Sequence, residues 1–177
     1  MDIRDTMIER SASQASKGSQ RAASHWLARV VVKYPLLADV MRLTYGLVQP
    51  RFTAGVVGVI FDDHGQMLIV EHAFHPREPW GLPGGWMGRG ENPADALRRE
   101  LREELELAVE IVCPLVIDNS YYLKTHLDIS YLCQARGPVG QISDELFGYR
   151  WMDVETLPRL LPFHERSVEA ARAARRS

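Results

Sequence analysis

The stretch GLPGGWMGRGENPADALRRELREELEL, from Gly81 to Leu107, places a glycine-rich turn directly before a densely charged segment. Asn92 is a favourable N-cap residue and Pro93 suits the first position of a helix, so the pattern predicts a helix from Pro93 to about Leu105. Successive residues turn by about 100° around a helix axis. One apolar stripe is therefore predicted to face the core, formed by Ala94, Leu97, Leu101 and Leu105.

Charge on this predicted helix is separated into an acidic sector and a basic sector on either side of the stripe. Glu100 and Glu104 are four residues apart, as are Arg98 and Arg102, and each such like-charged pair destabilises an exposed helix by roughly 0.2–0.5 kcal/mol. A cluster of carboxylates instead suits a divalent cation such as Mg²⁺ or Mn²⁺, which prefers oxygen ligands. The helix alone leaves two interpretations open, a metal site and an ordinary solvated charged face.

The turn before the helix contains two adjacent glycines, Gly84 and Gly85. Glycine accepts backbone conformations closed to other residues and lets the backbone approach a neighbour closely. Such a turn can present carbonyl groups to a metal ion or N–H groups to a phosphate. The turn and the acidic helix together favour a site at which a metal ion meets phosphate groups.

The spacing of these residues resembles the Nudix box, G-x5-E-x7-R-E-U-x-E-E-x-G-U, in which U is a bulky aliphatic residue. Gly85 is followed after five residues by Glu91 and, after seven more, by RELREELEL from Arg99 to Leu107. The one departure is Glu106, which stands where the box has its last glycine. The lead-in WGLPGG and the later DELFGYRW are also similar to segments of this family.

The resemblance implies a fold of the α/β class, the Nudix α/β/α sandwich with a mixed β-sheet. It also implies hydrolysis of the pyrophosphate bond in a nucleoside diphosphate linked to another moiety, such as ADP-ribose, a nucleotide sugar or a nucleoside triphosphate. The cofactor would be Mg²⁺ or Mn²⁺, because a divalent cation neutralises the charge of a diphosphate and lowers the pKa of a bound water. The expected partner is a nucleotide-type diphosphate substrate.

Carried over by position, the resemblance implies metal ligands on one edge of the helix. They are Glu100, Glu103 and Glu104, with the carbonyl group of Gly84 as a further ligand. Glutamates alone would repel a diphosphate, whereas with a bound cation they would anchor it.

The same resemblance implies that Arg99 pairs with Glu91 and holds the loop against the helix. The general base stays open between Glu100 and Glu145, which lies in the loop before GYRW and could also be an outer ligand or an ordinary loop carboxylate. The catalytic residues implied are Glu91, Arg99, Glu100, Glu103 and Glu145.

The departure at Glu106 bears on how the helix ends. A terminal glycine permits the left-handed conformation just past a helix, which costs another residue on the order of 1 kcal/mol. We therefore expect the helix to run on slightly or to exit differently, with a mild effect on the position of Glu104. The departure also leaves an alternative function open, a catalytically weak Nudix-fold module that binds a nucleotide or regulates. A third interpretation is an assembly protein with a vestigial site.

Three parts of the chain are expected from patterning. Residues 1–24 are polar, residues 25–50 form a helical extension kinked or divided near Pro35, and residues 51–177 form the Nudix domain. Residues 73–85 are expected to be loop. Strands are predicted at 53–61, 66–72, 109–117, 121–135 and 148–154, and closing helices at 154–161 and 163–176.

Composition limits the classes of partner. The 177 residues carry a net charge of −2, which argues against binding to a nucleic acid polymer. Two cysteines without metal-type spacing favour a reducing compartment, so a cytoplasmic location is expected. No apolar run approaches the roughly 20 residues that cross a bilayer. The N-terminal helices are expected to pack on the domain or on a partner chain. In the second case the protein would be a homodimer.

Overall fold

The computed structural model describes residues 35–74, 77–120 and 123–176. The chain divides into two compact units, Met1–Pro50 and Arg51–Ser177. In the first unit, helix α1 (Pro35–Val48) is described, and its apolar side chains Leu43 and Leu47 are exposed. The predictions for residues 1–24 and for the start of the helical extension lie outside the described residues.

The described part of the second unit contains one mixed sheet of seven strands. The strands are β1 (Thr53–Phe61), β2 (Met67–His72), β3 (Trp80–Gly81), β4 (Gly84–Trp86), β5 (Val109–Asn119), β6 (His126–Ala135) and β7 (Leu146–Met152). Their order is β3-β2-β1-β6-β5, and β4 also pairs with β1 while β7 pairs with β2. Strands β1 and β6 run parallel, and the other neighbouring strands run antiparallel.

Helices cover both faces of this sheet, and they are α2 (Pro93–Leu105) and α3 (Pro162–Ala174). Residues of β1 alternate between two apolar clusters. Val56 packs in the cluster that contains Leu101 of α2, and Val59 packs in the cluster that contains Val168 of α3. This layering is the predicted α/β/α sandwich with a mixed sheet. Among the described helices, none is long and apolar enough to cross a bilayer.

The segment between β2 and α2 differs from its prediction as uninterrupted loop. Trp80–Gly81 pairs with β2, and Gly84–Trp86 pairs with β1. Strands this short contain too few residues for apolar and polar positions to alternate, so the sequence pattern does not reveal them. The loop prediction was wrong for these two strands, and the strand pairing fixes the glycine turn on the sheet.

Element limits differ elsewhere as well. Strand β6 begins at His126, not at 121, and residues 121 and 122 lie outside the described part of the chain. Strand β7 begins at Leu146, two residues earlier than predicted. The helix predicted at 154–161 is only a short 3-10 helix at Val154–Thr156. Pro158 disfavours the helical conformation at the residue before it, and Leu157 is extended, with ψ at 143°.

Candidate functional site

Helix α2 is positioned by its N-cap and its apolar face. The Asn92 side chain accepts the N–H of Ala94 at 3.0 Å, and the helix spans the predicted residues Pro93–Leu105. Leu97, Leu101 and Leu105 are fully buried as predicted, and Ala96 joins them in the core in place of the partly buried Ala94. This packing turns the acidic side chains of α2 towards the glycine turn.

The two glycines of the turn are required by close approaches on either side. A Cβ atom at Gly84, whose φ is 144°, would lie 2.0 Å from the carbonyl oxygen of Val56 in β1. A Cβ atom at Gly85 would lie 2.5 Å from the carboxyl carbon of Glu100. Because neither glycine carries a side chain, the turn fits between β1 and α2. The Gly84 N–H donates to Glu104 Oε2 at 3.3 Å.

Arg99 links the turn to the acidic residues. Its Nε and Nη2 atoms donate to the two carboxylate oxygens of Glu91, each at 2.9 Å, and Nη2 also donates to the carbonyl of Trp86 at 3.0 Å. Its Nη1 atom donates to Glu100 at 2.8 Å and to Glu103 at 3.1 Å. The Arg99 hydrogen bonds, with the N–H of Gly88, lower the pKa of Glu91 to about 2. The predicted pair of Arg99 and Glu91 is thus present as a bidentate ion pair.

Glu104 is a buried carboxylate with a surplus of negative charge around it. Its exposed fraction is 7%. Burial is the main cause that raises its pKa from 4.5 to about 7, and the charges of Glu100, Glu145 and Glu103 add to the rise against the opposing Gly84 hydrogen bond. A buried carboxylate in such surroundings favours either a proton or a cation beside it.

The acidic side chains meet in one pocket of about 520 Å³, which we call the acidic pocket. Its acidic members are the predicted ligands Glu100, Glu103 and Glu104 together with Glu145 from the turn before β7, whereas Glu91 is turned to Arg99. The remaining lining residues are His72, Phe74, Gly84, Gly85 and Trp86. The structure therefore brings the four glutamates to one place, although they come from two separate segments of the chain.

The donor set of the acidic pocket suits a hard divalent cation. Among the described residues, no three His, Cys, Asp or Glu side chains are already arranged as metal ligands. Arg99 binds oxygens of both Glu100 and Glu103. The pocket nevertheless offers the carboxylate oxygens that Mg²⁺ or Mn²⁺ prefers, and a cation there would offset the buried charge of Glu104. The residues therefore fit such an ion.

Glu106 ends helix α2 in the left-handed conformation, with φ 47° and ψ 31°. Its N–H donates to the carbonyl of Arg102 at 3.1 Å, and the Leu107 N–H donates to Leu101 at 3.1 Å. The expectation that the helix would run on or exit differently was wrong. Glu106 takes the conformation for which glycine is favoured, and Glu104 stays in the last turn of the helix.

A second cavity of about 580 Å³, which we call the aromatic cavity, shares a wall with the acidic pocket. The shared residues are His72, Phe74, Gly84, Gly85 and Trp86. Trp80, Phe163, His164, His126 and Asp128 are among its other lining residues. A large cavity with mainly aromatic and apolar walls suits the organic part of a ligand, while the acidic pocket suits its charged part.

The sequence analysis missed a polar group in this cavity. His126 is buried, with its Nδ1 atom 2.8 Å from Thr53 Oγ1 and its Nε2 atom 3.3 Å from Asp128. Its ring centroid lies 4.6 Å from that of Trp86. The available signal was the alternation of His126, Asp128 and Ser130 within an otherwise apolar strand, which puts polar groups on one face of β6.

Known proteins similar to this chain support the same fold. A family model described as NUDIX domain matches residues 51–173. The chain is 24% identical to Nudix hydrolase 5 of Arabidopsis thaliana over 144 residues, which cover 72% of this chain and 47% of that relative. It is 30% identical to the nucleoside triphosphatase NudI of Escherichia coli over 90 residues, which cover 44% of this chain and 64% of that relative. The chain thus spans less than two thirds of the length of each relative.

A solved structure agrees with this comparison. The crystal structure of an ADP-ribose pyrophosphatase from Streptococcus suis aligns with a TM-score of 0.60. The alignment covers 73% of this chain and 94% of that one, at 23% identity. At this level of identity the likeness establishes the fold alone.

The metal-free protein should lose stability as the pH rises from about 5 to about 8. Glu104 has a raised pKa in the fold, about 7 against 4.5, so the folded state binds more protons than the unfolded state in this window. The contribution of Glu104 to the free energy of unfolding is fully present below pH 4.5 and is lost as the pH rises through 7. Its magnitude is roughly 3 kcal/mol. Urea unfolding of chelator-treated protein across this range measures the change.

The contribution of Glu104 is isolated by comparing the pH dependence of stability in the wild type and in Glu104→Gln. The variant should flatten the pH dependence, whereas Glu169→Gln, an equal charge change at an exposed position of α3, should keep it. Added Mg²⁺ at pH 8 should restore stability to the wild type but not to Glu104→Gln. The lowered pKa of Glu91 affects stability only below about 4.5, so an unchanged slope in Glu104→Gln would contradict the assignment.

Proposed function

The chain belongs to the Nudix family, and on this basis we propose that it is a pyrophosphohydrolase dependent on Mg²⁺ or Mn²⁺. Its substrate would be a nucleoside diphosphate linked to another moiety, such as an ADP-ribose-like compound, a nucleotide sugar or a nucleoside triphosphate. One observation carries the proposal: four glutamates converge on a single pocket, and the most buried of them, Glu104, has a raised pKa. Such a cluster destabilises a fold unless it holds a cation.

Glu100, Glu103 and Glu104 would hold the metal ion, with the Gly84 carbonyl as a further ligand. The ion would neutralise the charge of the diphosphate and polarise its P–O bonds. Arg99 would have a structural role, because its hydrogen bonds to Glu91 and to the Trp86 carbonyl hold the glycine turn against α2. A guanidinium with several fixed acceptors holds such a junction in one geometry.

The attacking water needs a proton acceptor, and Glu100 and Glu145 are the two candidates. Both line the acidic pocket. They differ in environment, because Glu100 is bound by Arg99 while Glu145 lies exposed on the turn before β7. Glu145 is not bound by Arg99 in this arrangement, and we favour it as the base or as an outer ligand.

The alternative of a catalytically weak binding or regulatory module rested on Glu106 in the glycine position. Glu106 adopts the left-handed conformation that a glycine would adopt, and the hydrogen bonds of the helix end are formed. The departure from the box therefore leaves Glu104, one of the proposed ligands, in the last turn of the helix. An active hydrolase is the function that the geometry supports best.

Glu103→Gln and Glu104→Gln should each lower turnover by more than about tenfold, because each removes a charged oxygen ligand. The measurement is phosphate release from a panel of nucleoside triphosphates, ADP-ribose and nucleotide sugars, with and without Mg²⁺. Both variants should stay folded by circular dichroism. Glu169→Gln is the matched control and should keep wild-type turnover, while full activity in both site variants would overturn the metal assignment.

The aromatic cavity would receive the base and sugar of the substrate. It adjoins the acidic pocket along Gly84 and Gly85, and its walls include the rings of Trp80, Trp86 and Phe163. Stacking of a base on an aromatic side chain contributes about 1–3 kcal/mol. A flat nucleobase lying against Trp86 would leave the diphosphate next to the glutamates.

Trp86→Ala should therefore raise KM by roughly 5-fold to 100-fold, the equivalent of one lost stacking contact, with a smaller change in kcat. Steady-state kinetics on a substrate that the panel identifies measures the separate effects on KM and kcat. Phe147→Ala is the control, because Phe147 is equally aromatic, exposed, and outside both cavities. An unchanged KM in Trp86→Ala would show that the base binds elsewhere.

We also propose a homodimer formed through the N-terminal helices. Leu43 and Leu47 of α1 are four residues apart and therefore lie on one helix face, with exposed fractions of 67% and 70%. Exposed apolar faces on helices are typical of helix pairing between chains. Leu43→Glu with Leu47→Glu should halve the mass in solution measured by light scattering, whereas Arg42→Glu should leave it unchanged; a wild-type monomer would exclude the dimer.

The proposed partner is a small nucleotide and not a nucleic acid polymer, in line with the net charge of −2. The cytoplasm is the proposed location. Cys113 and Cys133 both carry free thiols, which is typical of proteins in reducing compartments.

A further inference from the structure

Glu106 keeps a backbone conformation that is strained for a residue with a side chain. Its φ is 47°, and within the described ranges no other residue except glycine has a positive φ. Strain of this kind persists where surrounding contacts over-determine it. The contacts of the Glu106 side chain therefore call for an explanation.

The Glu106 side chain holds the loop of residues 136–145, which follows β6. Its Oε2 atom accepts the backbone N–H of Gln141 at 3.2 Å. Beside this bond, the Gly140 N–H donates to the carbonyl of Leu105 at 2.9 Å, and the Ser143 N–H donates to the carbonyl of Glu104 at 2.9 Å. The loop is thus tied to the last turn of α2 at three points, of which one comes from a side chain.

Gly140 is matched to Glu106. A Cβ atom at Gly140 would lie 2.5 Å from Glu106 Oε2 and 2.7 Å from Glu106 Cβ. The carboxylate could swing aside, but the Cβ atom is fixed by its own backbone. Gly140 has no positive φ, so the contact with Glu106, and not backbone conformation, calls for glycine at this position.

The clamped loop leads directly to Glu145. The Glu145 N–H donates to Ser143 Oγ at 3.4 Å, and the Glu145 carbonyl accepts the Ala73 N–H at 2.9 Å. We propose that Glu106 is a positioning residue, whose carboxylate holds this loop, against Gly140, so that Glu145 reaches the acidic pocket. The inference rests on the proposed function, since it needs Glu145 to contribute to turnover.

Glu106→Gly and Glu106→Gln test the clamp. The glycine variant should lower kcat by about threefold to tenfold, the effect of one hydrogen bond, while its melting temperature stays equal or rises because the strain is gone. The glutamine variant can still accept the Gln141 N–H and should regain most of the lost turnover. A residue with a purely structural role would lose activity and stability together, and that outcome would contradict the proposal.

Two double variants test how Glu106 acts. Glu106→Gly should have no further effect on kcat in a Glu145→Gln background, because its influence passes through Glu145. Gly140→Ala should lower the melting temperature of the wild type, and Glu106→Gly should relieve that loss by removing the clashing Cβ. Additive effects in both pairs would overturn the proposal.

Amide hydrogen exchange separates this inference from the proposed function. In protein without metal or substrate, the Gln141 amide should exchange faster in Glu106→Gly than in the wild type. Unchanged exchange would show that Glu106 holds nothing, whatever the activity. If the wild type hydrolyses no compound of the panel, or if Glu145→Gln keeps full turnover, the proposed function or the role of Glu145 fails, and the exchange result still decides whether the clamp exists.

Discussion

The site depends on one steric constraint, the fit of the turn at Gly84 and Gly85 between strand β1 and helix α2. Gly84 meets the carbonyl of Val56 on one side, and Gly85 meets the carboxylate of Glu100 on the other. A side chain at Gly84 would clash with the backbone of β1, and a side chain at Gly85 would displace the Glu100 carboxylate. Because the gap is closed, the carboxylates of Glu100 and Glu104 are largely withdrawn from water, which raises the influence of each of these charges on its neighbours.

Because these carboxylates are withdrawn from water, their charges destabilise the folded state. Hydrogen bonds from Arg99 and from the Gly84 N–H offset part of this cost. Arg99 forms charge-assisted hydrogen bonds to three glutamates, and its bidentate bond to Glu91 lowers the pKa of that carboxylate. Among the described residues, the Gly84 N–H is the one donor to the Glu104 carboxylate, whose pKa stays raised. The negative charge on α2 is therefore neutralised at the exposed edge of the helix and not at its buried end. A cation would stabilise the fold most at that buried end.

Local patterns in the sequence were sufficient for α2 and for β1, since the N-cap at Asn92 and the apolar runs are short-range signals. The Arg99 and Glu91 pair was implied by the resemblance to the Nudix box, whose residues lie within one segment. Strands β3 and β4 could not be predicted, because they exist through pairing with distant strands and not through their own residues. The cluster around His126 escaped for the same reason, since its partners Thr53 and Trp86 come from other parts of the chain.

The difference between features set by local sequence and features set by distant contacts explains why the segment from Gly85 to Leu107 predicts a reaction more readily than a substrate. The acidic pocket is built largely from that one segment, so its residue spacing is enough to support the proposed chemistry of a metal ion and a diphosphate. The aromatic cavity is assembled from β1, β2, β3, β4, β6 and the start of α3, and apart from Gly85 and Trp86 its lining residues lie outside that segment. Its wall on β6 includes His126, whose ring centroid lies 4.6 Å from that of Trp86. Selectivity of the proposed hydrolase for the organic part of its substrate would therefore depend on tertiary contacts, and substitutions there would change the substrate while the acidic pocket remains the same.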